Sequence, residues 1–287
     1  MIAARANDGS GASECYQPPS SKPGEWQLTP DCPATGGVFL QWRKVTPFAI
    51  RSAEQFRSDP PPALSSDRYT RDYREVKQVG ALNSTERPKD RADVARFYAA
   101  VGESDTWNPV ARQVAAAQGT SLSENARAFA LLNMAMSDAG VALIETKYHY
   151  HFWRPETAIR AGHADDNPRT APDPSFLPFV ITPCHPSYPS GHASASYPAR
   201  EVLERIFGGR NHSIPLSSPT VPGVTLKYTR LKEITEDIDD ARVYGGIHFR
   251  FDQEAGAEQG RRLGAYVYKH NLGRAQSGDC GAEERDQ

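Results

Sequence analysis

The chain has 287 residues, and its 33 lysines and arginines nearly balance its 35 aspartates and glutamates, for a formal net charge of −2. This balance excludes a general affinity for nucleic acid and a basic membrane-binding surface, because both need an excess of cationic side chains. No stretch approaches the ~20 consecutive apolar residues of a membrane span. We therefore expect a soluble protein without a membrane span.

The N-terminal segment and the cysteines leave the cellular compartment open, and export is not excluded. Residues 1–15 lack the basic, apolar and small-residue order of a signal peptide. The segment from Ile2 to Arg5 indicates the end of a helix, so the chain would begin inside a longer domain. No two of the four cysteines have metal-site spacing; they are Cys15, Cys32, Cys184 and Cys280. A bridge between Cys15 and Cys32 and free thiols are both open alternatives.

Three segments are predicted along the chain, within one structural domain. Residues 1–88 begin with the helix end and continue as a long, loop-rich segment that wraps over a core, with a short helix near Ala53 to Arg57. This prediction rests on the many prolines, serines and charged residues after residue 15. Residues 89–273 are predicted to be a helical-bundle core that carries the functional site. Residues 274–287 are a polar tail that we expect to be mobile.

Helical spacing dominates the predicted core. "DRADVARFYAA" and "NPVARQVAAAQ" carry apolar residues three and four positions apart. The longest helix should begin at Ser121, where Glu124 completes a capping box, and run to about Tyr150. Its apolar face comprises Phe129, Leu132, Met136, Ala139 and Leu143. Further helices are predicted from near Ser190 to Gly208-Gly209, roughly from Lys232 to Asp240, and from about His248 to His270. Alternating strand patterns are scarce, so the predicted fold class is all-α, a helical bundle with long ordered loops.

A lysine and an arginine follow the apolar face of the longest helix. Four residues beyond Leu143 lies Lys147, and seven further on lies Arg154. Seven residues are close to two helical turns, so both cations are predicted to point towards the core before Pro155 ends the run. The alternative is that both long side chains reach solvent at a helix end.

A second polar segment, "HPSYPSGHASAS", combines a turn with the start of a helix. Pro189, Ser190 and Gly191 precede a helix whose first turn contains His192. A helix N-terminus offers unpaired N–H groups and a positive dipole end, and a glycine there lets an anion approach the backbone closely. The segment thus fits an anion site, while a serine N-cap with an incidental histidine is the alternative.

A third segment, "ARVYGGIHFRFD", places Arg242 before a Gly245-Gly246 bend and His248 after it. Asp252 follows His248 by four residues, a spacing that lets a carboxylate hold one imidazole N–H and fix which nitrogen is free. A surface ion pair is the alternative for this segment alone. Together, the three segments supply what a tetrahedral oxyanion site needs: three cations, backbone donors and two histidines.

At these residues the sequence resembles the superfamily that unites vanadium-dependent haloperoxidases with type 2 phosphatidic acid phosphatases and bacterial acid phosphatases. The resemblance rests on Lys147 with Arg154-Pro155, on Pro189-Ser190-Gly191-His192, and on Arg242 with His248 and Asp252. It implies an α-helical bundle, and the long helix and the long loop also look like those of soluble bacterial members of the haloperoxidase branch. Known haloperoxidases are longer and supply further helices from an N-terminal region that we expect to be absent here.

The resemblance also implies a role for each matching residue. Lys147, Arg154 and Arg242, with the Ser190 hydroxyl and the Gly191 N–H, would bind the oxygens of vanadate or phosphate. His248 would be the ligand of the vanadium atom, or the nucleophile in a phosphatase, and Asp252 would orient it. His192 would be the acid–base catalyst. Lys147 would in addition polarise an oxygen of bound peroxide.

His185 bears on the choice of halide. It lies seven residues before His192, where the bromoperoxidases of this family resemble one another in having a histidine and the chloroperoxidases an aromatic residue. The resemblance therefore favours bromide, while a loop histidine that caps the turn is the alternative.

Three functions are consistent with these residues. The one we favour is a vanadate-dependent haloperoxidase that oxidises bromide with hydrogen peroxide to hypohalous acid, which reacts with a small organic acceptor. The second is a soluble acid phosphatase that hydrolyses phosphate monoesters through a phosphohistidine at the same site, and the third is a non-catalytic phosphate- or vanadate-binding protein. Whether the chain forms a homo-oligomer is left open.

Overall fold

A computed structural model describes residues 2–273 and shows a mainly helical protein. The helices are α1 (Ile2–Arg5), α2 (Asp67–Val79), α3 (Lys89–Ala100), α4 (Glu103–Gln118), α5 (Leu122–Tyr150), α6 (Pro155–Arg160), α7 (Gly191–Phe207), α8 (Leu231–Tyr244) and α9 (Arg250–His270). Short 3-10 turns lie at Leu40–Lys44, Ala53–Phe56 and Gly162–Ala164. The predicted all-α fold class is confirmed.

The longest predicted helix is confirmed in its start, its end and its capping. The Ser121 hydroxyl accepts a hydrogen bond from the Glu124 N–H at 3.3 Å, and the Glu124 carboxylate accepts one from the Ser121 N–H at 2.9 Å. This reciprocal pair satisfies two of the donors that a helix leaves unpaired at its start. Of the described helices, α5 alone is long and apolar enough to cross a membrane, but 61% of its most apolar window is buried, as in the core helix of a soluble protein.

Residues 1–88 contain more helix than the sequence predicts. The short helix near Ala53 is confirmed as a 3-10 turn, but α2 was not predicted, because polar residues surround its narrow apolar face. That face is formed by Tyr69, Tyr73 and Val76, which are fully buried. Their spacing of four and three residues is the helical signal that the surrounding charge obscures. The predicted tail, residues 274–287, lies outside the described residues.

The later elements differ from their predicted bounds in three places. A two-stranded antiparallel sheet, β1 (Ile214–Ser217) and β2 (Thr225–Tyr228), follows α7 and was not predicted. The helix predicted to end at Asp240 continues to Tyr244. The last helix begins at Arg250, so His248 precedes it instead of opening it.

A disulfide bond joins Cys32 to Cys184, so a bridge between Cys15 and Cys32 is wrong. Cys15 is a free, exposed thiol, and Cys280 lies outside the described residues. The bond ties the N-terminal loop to the residue that precedes His185. A backbone hydrogen bond of 2.9 Å from Val38 to the Cys184 carbonyl strengthens this attachment.

Close packing of α9 against α7 positions two of the predicted site segments. Gly256, Gly260 and Gly264 form a stripe on α9, and a Cβ atom on any of them would lie less than 3.0 Å from atoms of the Ser190–Pro198 part of the chain. The absent side chains let the two helices approach. As a result, the Ser190 N–H donates to the Asp252 carbonyl at 2.9 Å, which fixes the start of α7 against the start of α9.

Candidate active site

Three cationic side chains are buried together at the centre of the protein. Lys147 and Arg154 are 0% exposed, and Arg242 is 5% exposed. They come from the last turn of α5, the residue before α6, and the last turn of α8. Burying a cation is costly unless an anion or an acceptor compensates it. Such a cluster therefore favours a bound anion.

The structure brings Lys147 and Arg154 together, but not along one helix as the spacing predicts. Helix α5 ends at Tyr150, and His151 adopts a left-handed conformation with φ of 51°. The chain then runs extended to Arg154, where Pro155 begins α6. The predicted inward direction of both side chains is correct, whereas the predicted continuous helix is wrong.

Arg154 is held by hydrogen bonds to four acceptor atoms on three residues. Its Nε donates to the His185 carbonyl at 2.9 Å, and its Nη1 donates to the Ile247 carbonyl at 2.8 Å. Nη1 also lies 3.0 Å from His248 Nε2, and Nη2 lies 3.0 Å from His185 Nδ1. A guanidinium can only donate, so both histidine nitrogens accept. Burial lowers the pKa of Arg154 to about 9, which leaves it charged at neutral pH.

Lys147 is fixed by carbonyl groups of the segment that follows His185. Its Nζ donates to the carbonyls of Pro186 and Ser187, each at 2.7 Å. Burial, and next the charge of Arg154, lower the pKa of Lys147 well below its ordinary value. A bound anion would oppose this shift, because an opposite charge favours the protonated ammonium.

His248 and Asp252 form a buried pair. His248 Nδ1 donates to Asp252 Oδ2 at 2.7 Å, and the same oxygen accepts from the Ser187 hydroxyl at 2.6 Å and the Phe249 N–H at 3.2 Å. The Nδ1 proton leaves Nε2 with a lone pair. Burial, and next the charge of Arg154, lower the pKa of His248, so the ring is neutral. Burial also raises the pKa of Asp252 to about 7, opposed by the Ser187 hydrogen bond.

Two buried donors of the cluster have no partner among the described residues: the Ser190 hydroxyl and Arg242 Nε. Ser190 is the N-cap residue of α7, but its side chain makes no capping hydrogen bond. Burial lowers the pKa of Arg242 to about 10, and the guanidinium stays charged. Unpaired buried donors beside three cations fit the oxygens of a tetrahedral anion. Vanadate and phosphate both meet this description.

A vanadium atom would find one protein ligand here. Among residues 2–273, no group of three or more His, Cys, Asp or Glu side chains could hold a metal ion. The Nε2 lone pair of His248, which accepts from Arg154 Nη1 in this structure, is a suitable single ligand, and the hydrogen bond of Nδ1 to Asp252 fixes the ring's direction and raises its basicity. The residues present therefore fit vanadate, bound through its oxygens and one histidine nitrogen.

His192 lies beside the cluster, but both of its ring nitrogens contact groups outside it. Its Nε2 donates to the Tyr98 carbonyl at 2.9 Å, which also accepts from Arg242 Nη1 at 3.0 Å. Its Nδ1 lies 3.2 Å from a Glu103 carboxylate oxygen. Burial and Arg242 lower the pKa of His192 to about 4, with Glu103 opposing them. No hydrogen bond between described residues joins His192 to Lys147 or Ser190, so its acid–base role remains a prediction.

His185 occupies the outer side of Arg154 and is partly exposed. Burial, and next the charge of Lys147, lower the pKa of its ring, which is consistent with a neutral imidazole that accepts from Arg154. Its ring centroid lies 6.3 Å from that of Phe39. The residue thus contacts the cluster directly, and a turn-capping function alone does not describe it.

Sequence analysis missed Glu103, Ser187 and Tyr98, all of which contact predicted site residues. Ser187 lies inside the "HPSYPSGH" motif, so its place beside the site could have been inferred. Tyr98 lies in the last turn of α3 and Glu103 is the first residue of α4, and both are far from the motifs in sequence. Glu103 contacts His192 through a carboxylate at a helix start, and Tyr98 does so through its backbone carbonyl. Nothing in the sequence around either residue indicates this contact.

Comparison with known proteins gives consistent matches. Residues 127–276 match the family described as the VCPO second helical-bundle domain. The chain is 25% identical over 280 residues to the vanadium chloroperoxidase of Curvularia inaequalis, a match covering 74% of this chain and 45% of that protein. The chain thus spans less than half the length of this curated relative.

Solved structures are similar over most of the chain. A structure described as the first bacterial vanadium-dependent iodoperoxidase is 31% identical, with a TM-score of 0.74, covering 88% of this chain and 62% of that one. An apo-type bacterial vanadium-dependent chloroperoxidase is 18% identical, with a TM-score of 0.74, covering 94% and 71%. At 18% identity, the similarity to the chloroperoxidase shows a shared fold alone.

Proposed function

This chain belongs to the vanadium haloperoxidase family, and from that premise we propose that it is a vanadate-dependent enzyme that oxidises a halide with hydrogen peroxide to hypohalous acid. The observation that carries the proposal is the buried group of three cations with the unpaired Ser190 hydroxyl and Arg242 Nε. It supplies charge and donors for an oxyanion, beside a neutral histidine whose Nε2 is unprotonated and accepts from Arg154.

Each residue has a proposed task in this site. Lys147, Arg154 and Arg242 neutralise the anion and, with Ser190 and the Gly191 N–H, bind its oxygens. His248 provides the single nitrogen ligand, and Asp252 keeps that ring in the required tautomer. When bound, vanadate supplies a Lewis acid that activates hydrogen peroxide towards halide.

Proton transfer is assigned to two residues. His192 is the proposed acid–base group, because it is neutral at physiological pH and can take up and return a proton. Lys147 places an ammonium proton beside the bound oxygens and polarises them.

Bromide is the proposed halide. This finer proposal rests on His185, which contacts Arg154 and lies at the edge of the cluster. The similar solved structures are an iodoperoxidase and a chloroperoxidase, and those halides are properties of those proteins. A comparison of bromide with chloride is therefore part of the test.

The test is a bromination assay with a phenol dye, on protein loaded with vanadate and on the same protein depleted of it. We expect bromination that requires both peroxide and vanadate, with faster turnover of bromide than of chloride. Chloride turnover equal to that of bromide would contradict the halide assignment alone. Absence of bromination, together with hydrolysis of a phosphate monoester in vanadate-free buffer, would establish the phosphatase alternative. Tight phosphate binding with neither activity would establish a binding protein.

A further inference from the structure

A cavity of about 730 Å³ lies at the start of α7, between Glu103 of α4 and the middle of α5. Its apolar wall includes Phe39, Trp42, Phe48, Met134, Leu143 and Ile144. Its polar residues include Glu103 and Ser137. A concave, mainly apolar site of this volume with a few polar groups is typical of sites for small organic molecules.

Three residues that line the cavity belong to the candidate active site or contact it. Phe39, on its wall, is the ring that neighbours His185. Gly191, at the start of α7, also lines it, and the nearest atom to a Cβ built there is Leu143 Cδ2, at 3.4 Å. Glu103 lines it as well, and its carboxylate faces His192. A molecule in the cavity would therefore lie against Gly191 and against the neighbours of His185 and His192.

We propose that this cavity binds the organic acceptor, and that the acceptor is a largely apolar, electron-rich aromatic molecule such as a substituted phenol. The aromatic and methionine side chains suit a ring, and the Glu103 carboxylate can accept a hydrogen bond from a phenolic hydroxyl. The proposal rests on the proposed haloperoxidase function and adds that the acceptor is bound near the place where bromide is oxidised.

The chemistry balances in two steps. Bromide, hydrogen peroxide and a proton give hypobromous acid and water, so bromide is oxidised and the peroxide O–O bond is reduced. Hypobromous acid then reacts with the aromatic C–H, forming a C–Br bond and releasing water that contains the ring proton. A bound acceptor intercepts hypobromous acid before it diffuses away, so the products should differ from those of free hypobromous acid.

The first arm of the test measures binding of 4-phenylphenol by equilibrium dialysis, without vanadate, bromide or peroxide. Ser137→Trp fills the cavity, and Ser123→Trp places the same side chain on the exposed first turn of α5 as the matched control. We expect Ser137→Trp to weaken binding about tenfold or more, and Ser123→Trp to change it by less than about twofold. Gly140→Leu is a second filling variant, because a Cβ there meets Trp42 at an ordinary 3.6 Å.

The second arm uses vanadate-loaded protein and a mixture of 4-phenylphenol and phenol. Wild type and Ser123→Trp should brominate 4-phenylphenol in excess of the ratio given by chemical hypobromous acid, and the filling variants should return to that ratio. Equal binding by all four proteins, or a wild-type ratio equal to the chemical one, would overturn the proposal. Because the first arm needs no turnover, cavity-dependent binding without any bromination would refute the haloperoxidase function and leave the aromatic site standing.

Discussion

Two histidine–carboxylate pairs flank the same three cations and differ in burial and in spacing. The His248 and Asp252 side chains are 3% and 0% exposed, and His248 Nδ1 lies 2.7 Å from Asp252 Oδ2. The His192 and Glu103 side chains are 22% and 29% exposed, and His192 Nδ1 lies 3.2 Å from Glu103 Oε1 at the edge of the cavity. The first pair has additional donors from Ser187 and Phe249, whereas Glu103 faces an open space.

The difference indicates a division of tasks. A buried carboxylate with three donors holds one tautomer of His248 and keeps its free nitrogen in one direction, as a ligand requires. A partly exposed pair can exchange a proton with solvent or substrate, as an acid–base group requires. When His192 and Glu103, the outer pair, are both deprotonated, the lone pair of His192 Nδ1 faces the Glu103 carboxylate. A proton taken up between these two acceptors relieves their repulsion. We therefore propose that Glu103 is a positioning residue that raises the pKa of His192.

Asp252→Ala tests the buried pair and has the largest expected effect. It removes the acceptor for His248 Nδ1, so the ring loses its fixed tautomer, and vanadate affinity should fall about 10- to 100-fold. Equilibrium dialysis of vanadate measures this, with circular dichroism as the check on folding. Asp252→Asn is the control that keeps the shape and one acceptor oxygen, and it should lose less. An affinity of Asp252→Ala within about twofold of wild type would show that the pair does not orient the ligand.

Glu103→Gln tests the outer pair and has a smaller expected effect. The Glu103 charge raises the pKa of His192 against burial and Arg242. Its removal lowers that pKa further, so the acidic limb of the kcat profile should move to lower pH by roughly one unit, with vanadate affinity nearly unchanged. Steady-state rates between pH 3 and 8 measure the shift. Asp105→Asn, an exposed carboxylate on the same helix, is the matched control. A movement to higher pH, or the same movement in the control, would contradict the assignment.

The sequence predicts the elements whose signals are local. The Ser121–Glu124 capping box lies within four residues, and the start and end of α5 were predicted from it and from the apolar spacing that follows. The inward direction of Lys147 and Arg154 was also predicted. The path between them was not, because the left-handed His151 that ends the helix has no proline or glycine to announce it.

Contacts between distant parts of the chain were beyond sequence reasoning. Cys32 and Cys184 are separated by 152 residues, and spacing alone cannot assign such a pair. The contact of Glu103 with His192 depends on how α4 meets α7, which no single segment specifies. The glycine stripe at Gly256, Gly260 and Gly264 is different. Its four-residue period is visible in the sequence and would have predicted the close approach of α9 to another helix.

Vanadate binding and turnover measured side by side for His248→Ala and His192→Ala test the division of tasks most directly. The account predicts that His248→Ala loses vanadate retention in equilibrium dialysis, because the only nitrogen ligand is gone. It predicts that His192→Ala retains vanadate and loses bromination by about 100-fold or more, as expected for a lost acid–base group. Equal vanadate binding by wild type and both variants would contradict the account.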